Sequence, residues 1–451
     1  VIDKLLGRRK FLAASAGTVA AVAGGSVSAR ADAKSAKPGT LAILGGKPVR
    51  KNKSWPRWPH IDDAVVESVV KTTKSGIWCR IQSSSGTVPT FEKKFAKMEG
   101  AKFCVCTGSG TQSLHTAVEA LGIGPGDEVI TSPYTDPGTI ASILAARALP
   151  VLADLDTESY QIDPADVEKR ITKYTKAIMP VHMMGQPADM GRIMEIAKKH
   201  KLKVIEDACQ GHLAEYRGKK LGTIGDLGCF SFQTSKTISC GEGGAIIGDD
   251  EELMDKCYTV QNHGTSKRGR TEVAGPKYRM NEFEGAVLMG QLPTAKKRFE
   301  LRNKNARYLS AKLKGFKGLV PQKLYEGTES GSWYLYPMSY HKEHFGGASR
   351  GTFLKAVAAE GVGLSPYIGN GLHKEPWIDH ILAQRVYKEL FPKDHLEKYR
   401  AEVGCPKCDQ VCAEMVMLWA SGPLLGTTQD MDDVVNAIFK VYENRDKLGS
   451  V

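Results

Sequence analysis

At 451 residues, with 41% hydrophobic and 25% charged side chains, the chain carries enough apolar material for a sizeable core and has the make-up of a globular protein. Its formal charge of +12 is modest, and the basic residues are scattered rather than clustered with aromatics, which argues against nucleic acid as a partner and for attraction to small anions. Ten cysteines in this length do not make a disulfide scaffold; Cys405, Cys408 and Cys412 have the spacing of metal ligands, but no further Cys or His pair completes a set of four, so no structural metal is expected.

The first segment, residues 1–31, opens with Arg8-Arg9 before an uncharged run from Phe11 to Ala29 that is rich in Ala, Gly, Ser and Thr. It reads as a twin-arginine export signal, too weakly apolar for a stable membrane span, which places the mature protein in the periplasm or another extracytoplasmic space; without a working signal it would stay in the cytoplasm. Residues 32–60 follow as a polar tether and an arm, where Trp55-Pro56-Arg57-Trp58-Pro59 is expected to pack on a surface such as a partner subunit. The first helix is expected near Asp62 to Thr73, with Val65, Val66, Val69 and Val70 on one face.

From Thr90 the pattern alternates between helix and strand. Short apolar runs at Phe103–Cys106, Glu128–Thr131, Leu149–Ala153, Ala177–Val181 and Val204–Asp207 are separated by helical stretches such as Met190–His200, the signature of a mainly parallel sheet covered on both faces. Gly108-Ser109-Gly110-Thr111 opens a helix, and small residues at a helix N-terminus let backbone N–H groups approach a phosphate. Ligands in such sheets sit at the carboxyl ends of the strands, where Asp207, His182 and Ser231 are placed. Beyond Gly244 a helical region from Asn281 to about Leu313, interrupted at Pro293, leads to a smaller α+β domain with helices at Phe353–Ala359 and Asp430–Tyr442. The division expected is a large domain over residues 61–300 and a small one over 301–451.

The chemistry centres on Ser231-Phe232-Gln233-Thr234-Ser235-Lys236, followed by the glycine-rich Gly241-Glu242-Gly243-Gly244. A strand delivers one lysine, flanked by hydroxyl residues, to a turn, the arrangement that a Schiff-base enzyme needs for a nucleophilic amine.

These segments together, with Gly110-Thr111-Gln112-Ser113-Leu114, Pro180-Val181-His182, Glu206-Asp207-Ala208-Cys209-Gln210 and Tyr278-Arg279-Met280, resemble the DegT/DnrJ/StrS family of pyridoxal-phosphate-dependent sugar aminotransferases. The resemblance spans roughly residues 41–445, and the opening Gly45-Gly46-Lys47-Pro48-Val49-Arg50 is similar to the branch acting on cyclitols and aminohydroxybenzoate. It implies an α/β fold of type I, with a mainly parallel seven-stranded sheet between helices, and pyridoxal 5'-phosphate as cofactor. By the same resemblance, Lys236 would form the Schiff base and carry the proton, and Asp207 would pair with the pyridine nitrogen. Gln210 would contact the ring oxygen, while Gly110, Thr111 and Ser231 would cradle the phosphate.

Two positions depart from the family pattern. Asp136 stands where an aromatic ring usually stacks on the cofactor, leaving it to meet a substrate group or leaving Tyr134 to cover the ring. Lys277 stands where an asparagine reaches a neighbouring subunit's phosphate. His182, Tyr367 and His373 complete the candidate substrate contacts. The implied function is transfer of an amino group from glutamate or glutamine to a keto-sugar or keto-cyclitol by a homodimer with shared active sites. A second reading stays open: an exported, non-catalytic protein of the same fold that binds a sugar or an envelope partner, motivated by Asp136, Lys277 and the export signal.

Overall fold

Seven runs, each too short for a helix and rich in β-branched, aromatic or cysteine residues, assemble the central sheet of the computed structural model, which describes residues 39–451. They are β1 (Phe103–Thr107), β2 (Glu128–Thr131), β3 (Leu149–Leu152), β4 (Thr175–Met179), β5 (Lys203–Asp207), β6 (Leu227–Ser231) and β7 (Gly244–Gly248). Their order is β1-β7-β6-β5-β4-β2-β3; the five strands from β6 to β3 are parallel, and β7 runs antiparallel to both of its neighbours. Every residue of β2, β3, β6 and β7 is buried, as expected of a sheet covered on both faces. The predicted α/β architecture is the one observed. The predicted export signal, residues 1–31, lies outside the described residues.

The helices are α1 (Asp63–Ser75), α2 (Thr87–Glu99), α3 (Gly110–Ala120), α4 (Pro137–Ala145), α5 (Pro164–Lys169), α6 (Met190–His200), α7 (Glu251–Gln261) and α8 (Glu282–Lys312). Two sequence expectations are corrected here. In α1 only Val65 of the valine face is buried, while Val66 and Val70 are 52% and 44% exposed. The helix instead presses a narrow edge onto α8, where a Cβ at Gly290 would lie 2.5 Å from the Val65 Cα. Nor does Pro293 interrupt α8. The helix starts in a capping box between Asn281 and Glu284 and runs through the proline for 31 residues, because flanking side chains such as Gln291, Ala295 and Arg298 are locked in the interior.

After α8 the chain forms a smaller antiparallel sheet from Leu319–Pro321, Leu335–Tyr340 and Met415–Trp419, packed with helices Arg350–Ala359 and Thr428–Glu443. The boundary drawn from sequence at residue 300 falls inside the continuous α8. The arm packs on a surface as expected, here that of its own chain. Glu360 accepts from the backbone of Ala42 (2.8 Å) and Val49 (3.1 Å), and Arg50 pairs with Asp433 at 3.0 Å while its guanidinium lies 3.7 Å from the Trp55 ring centre. Farther along, the Trp58 indole N–H donates to the carbonyl of Thr234 at 2.8 Å.

Two buried titratable groups give the fold opposed pH responses. Glu99 is fully buried, receives only the Leu213 N–H (3.1 and 3.2 Å), and desolvation pushes its pKa from 4.5 to about 8, with the Lys220 charge opposing and Glu215 reinforcing. His212, among Phe95, Phe230 and Phe232, is pushed down from 6.5 to about 3 by desolvation, with Lys236 and Arg302 adding to the effect. Glu99 holds a proton in the folded chain that the unfolded chain has released, so its stabilising contribution is complete below pH 4.5 and is lost as pH rises to about 8. The contribution of His212 is complete above pH 6.5 and is lost as pH falls toward 3. Above pH 6.5 only the Glu99 slope remains. The thermal midpoint is therefore expected to fall between pH 6.5 and 8 and to become flatter over that interval in Glu99→Gln.

Candidate active site

The parallel strands deliver their last residues to one cavity of about 410 Å³. Asp207 ends β5, Ser231 ends β6, and the lysine loop continues from β6 through Gln233 and Ser235 to Lys236. From the other side, α3 contributes its N-terminus. Ser109 caps that helix by accepting from Gln112 N (3.2 Å), and the N–H groups of Gly110 and Thr111 lie in the first turn, the arrangement that receives an anion. Glycine is required at 110, since a Cβ there would lie 2.8 Å from Ser231 Cβ and 2.9 Å from Cys209 Sγ.

Asp207 is 3% exposed and held at both oxygens: Thr139 Oγ1 donates to Oδ2 at 2.8 Å, and the Cys209 N–H donates to Oδ1 at 3.2 Å. Thr139 is in turn tied to Thr135 Oγ1 at 2.9 Å. Gln210 accepts from Met184 N (2.7 Å) and turns its amide toward the Tyr367 hydroxyl at 3.5 Å. The loop bearing Lys236 is fixed from outside by Trp58 at Thr234 and by the Ser421 hydroxyl, which donates to the Ser235 carbonyl at 2.9 Å. Lys236 Nζ lies 4.4 Å from the centre of the Tyr334 ring.

An amine, a buried oriented carboxylate and a helix N-terminus facing one cavity match the three polar features of pyridoxal phosphate: aldehyde, ring nitrogen and phosphate. The DegT/DnrJ/EryC1/StrS aminotransferase family model matches residues 59–438. The chain belongs to this family.

Among curated relatives of this aminotransferase, the L-glutamine:2-deoxy-scyllo-inosose aminotransferase of Streptoalloteichus tenebrarius is 33% identical over 430 residues, covering 91% of this chain and 99% of its own. Among solved structures, 3-amino-5-hydroxybenzoic acid synthase superposes with a TM-score of 0.76 at 26% identity, covering 89% of this chain and all of its own. NtdA of Bacillus subtilis, solved with bound cofactor PMP, gives 0.71 at 26% identity, with 87% of each chain covered.

Of the residues singled out from sequence, the aminotransferase fold brings Gly110, Thr111, Asp136, Asp207, Gln210, Ser231, Lys236 and Tyr367 to the cavity. Four stand elsewhere. Tyr134 is fully buried in the core, where burial pushes its pKa well above the usual value, so it does not cover the cofactor position. His182 faces away from the cavity and is fully buried: its Nδ1 accepts from Ala188 N (3.2 Å), so Nε2 carries the proton and donates to Glu206 at 2.9 Å. His373 does not line the cavity and lies against Asp409, at 3.1 Å, with its pKa lowered by burial. Lys277 is exposed and does not line the cavity.

Glu206 also accepts from the backbone of Gly222 (2.8 Å), Ile224 (2.6 Å) and Gly225 (2.7 Å), which pins the turn before β6. His182→Ala is accordingly expected to cost about 2 kcal/mol of stability, the scale of leaving a buried polar group short of a partner. The folded fraction should keep an unchanged kcat, measured at a temperature where both proteins are native.

Thr139, Tyr334, Ser235 and Glu242 also line the cavity. A hydroxyl in the first turn of α4 was the one available signal for Thr139. Tyr334 carried none, since it arrives from a segment 99 positions beyond Ser235. Among the described residues no cluster of three His, Cys, Asp or Glu could hold a metal, and no helix is long and apolar enough to cross a membrane.

Proposed function

We propose that this aminotransferase is pyridoxal-phosphate dependent and moves the amino group of glutamine to a six-membered keto-cyclitol of the scyllo-inosose type. The observation that carries the cofactor is the shared cavity of Lys236, Asp207 and the first turn of α3. The donor and acceptor are supported by relatives matched over 98–99% of their own length, which are L-glutamine:2-deoxy-scyllo-inosose and L-glutamine:scyllo-inosose aminotransferases.

When bound, pyridoxal phosphate supplies the electron sink for breaking the bond to the substrate's α-hydrogen. The protein does the rest. The N–H groups of Gly110 and Thr111, with the Ser231 hydroxyl, would hold the cofactor's phosphate, and the Asp207 carboxylate, oriented by Thr139 and Cys209, would pair with its ring nitrogen. Lys236 Nζ supplies the amine and moves the proton. Asp136 stands at the mouth, 2.8 Å from the Gly138 N–H and without an aromatic ring, as a contact for substrate hydroxyls.

We further propose a homodimer with shared sites. The exposed Val66, Val70, Trp78 and Ile81 supply apolar surface for a second copy, and exposed Lys277 is available to that copy's phosphate. Export through the twin-arginine signal, to a periplasmic or extracytoplasmic location, is proposed on the sequence alone, with the cytoplasm as the location if the signal does not function.

The test is a spectral screen of the purified protein with candidate donors, followed by scyllo-inosose and keto-sugar acceptors. Glutamine is expected to bleach the visible cofactor band and scyllo-inosose to restore it. A band unchanged by every amine would favour a non-catalytic binding protein, and no bound cofactor would end the proposal.

A further inference from the structure

Tyr334 enters the cavity at the start of the Leu335–Tyr340 strand, after Trp333, whose backbone is left-handed (φ 51°). It is 4% exposed, and its backbone N–H donates to the Met184 carbonyl at 3.1 Å. The ring is braced edge-on by two aromatics, Tyr367 at 6.4 Å (79° between planes) and Trp419 at 6.3 Å (89°). Its hydroxyl lies 2.9 Å from Ser235 Oγ, whose single proton is directed to Gln233 Oε1 at 2.7 Å, so Tyr334 is the donor in that pair. The tyrosine thus grips the residue preceding Lys236 while the Lys236 ammonium rests 4.4 Å from the ring centre. Among the described residues Lys236 makes no ion pair or side-chain hydrogen bond; the Tyr334 ring lies within the range where an ammonium is attracted by the ring quadrupole.

We infer that Tyr334 is a positioning residue for Lys236: its ring seats the side-chain amine at the end of the loop. The inference rests on the proposed role of Lys236 and extends it, because an amine that must wait free in the pocket and then act on a proton needs a fixed resting place. A ring supplies one without the cost of a competing carboxylate.

The test separates this idea from catalysis itself. Full-length protein stripped of cofactor is labelled competitively with acetic anhydride, and acetylation of Lys236 is read by peptide mass spectrometry at about pH 7 and about pH 11, the latter a condition in which free lysine is largely neutral. In Tyr334→Leu, labelling of Lys236 is expected to be about tenfold faster than in the parent near pH 7, the ratio that loss of a desolvated cation–π contact implies, and unchanged near pH 11. Tyr334→Phe, which keeps the ring, is expected to stay within about twofold of the parent at both. Equal acceleration at both pH values would mean that the pocket had merely opened, and no acceleration would mean that the ring does not hold the charge; either overturns the inference. Should the leucine variant not fold, Tyr334→Met, of similar length without a ring, is read the same way. No step of this test requires turnover, so its failure is distinguishable from failure of the aminotransferase assignment.

Discussion

Lys236→Ala is expected to abolish amino transfer, with a loss of about 10⁴-fold or more, while leaving the fold intact. The substitution removes the amine nucleophile and the proton carrier together, and positioned proton transfer alone contributes on the order of 10²–10⁴-fold. The fold should tolerate the change because the side chain, at the cavity wall, makes no hydrogen bond among the described residues and only one ring contact, so the stability cost should stay within about 1 kcal/mol. Single-turnover measurement of the glutamine half-reaction, together with a thermal melt, checks both halves of the expectation. A variant that melts normally and still turns over within tenfold of the parent would remove Lys236 from its role.

Asp207→Asn is expected to lower the rate by about 10²–10³-fold, the scale of removing one preorganised electrostatic group from a site. The replacement is nearly isosteric. Cys209 N–H can still donate to the amide oxygen, and Thr139, now facing an NH₂, can reverse its bond through Thr135, whose hydroxyl lies 2.9 Å away. What disappears is the negative charge proposed to pair with the cofactor's ring nitrogen. The half-reaction should slow with both amino donor and keto acceptor, since the ring serves both, and the apparent affinity for pyridoxal phosphate should weaken. Thr139→Ala keeps the charge and loses only its orientation, so a much smaller defect is expected; equal defects in the two variants would locate the effect in geometry rather than charge.

The residues legible in the sequence share one property: each sits where local pattern dictates position. Asp207 and Ser231 end apolar strands, Gly110 and Thr111 open a helix after a glycine-rich turn, and Lys236 follows a strand into a turn. The misplaced candidates share the opposite property. Val181 lines the cavity while His182, one residue on, turns to Glu206, and Asp207 faces the cavity while Glu206, one residue before it, faces away. Along extended chain, successive side chains point to opposite sides, and a motif fixes the neighbourhood without always fixing that parity. Tyr334 and Thr139 depend on how distant segments cross, information that no local pattern holds. The valine stripe of α1 misled for a related reason, because a periodic apolar face shows that a surface is to be covered and not by what. Here α8 covers one edge and leaves the rest outside.

The strapping of the arm onto the C-terminal helices carries a consequence for trimming the protein. The bonds from Ala42, Val49 and Arg50 to Glu360 and Asp433, and from Trp58 to Thr234, make the stretch from Leu41 to Trp58 an integral brace between the small sheet's helices and the turn that carries the reactive amine. A leader clipped ahead of Leu41 would leave that brace whole. A cut only some twenty residues farther along would unfasten the turn from behind, so a protease or an engineered start site would divide competent from crippled molecules within a few helical turns' length of chain.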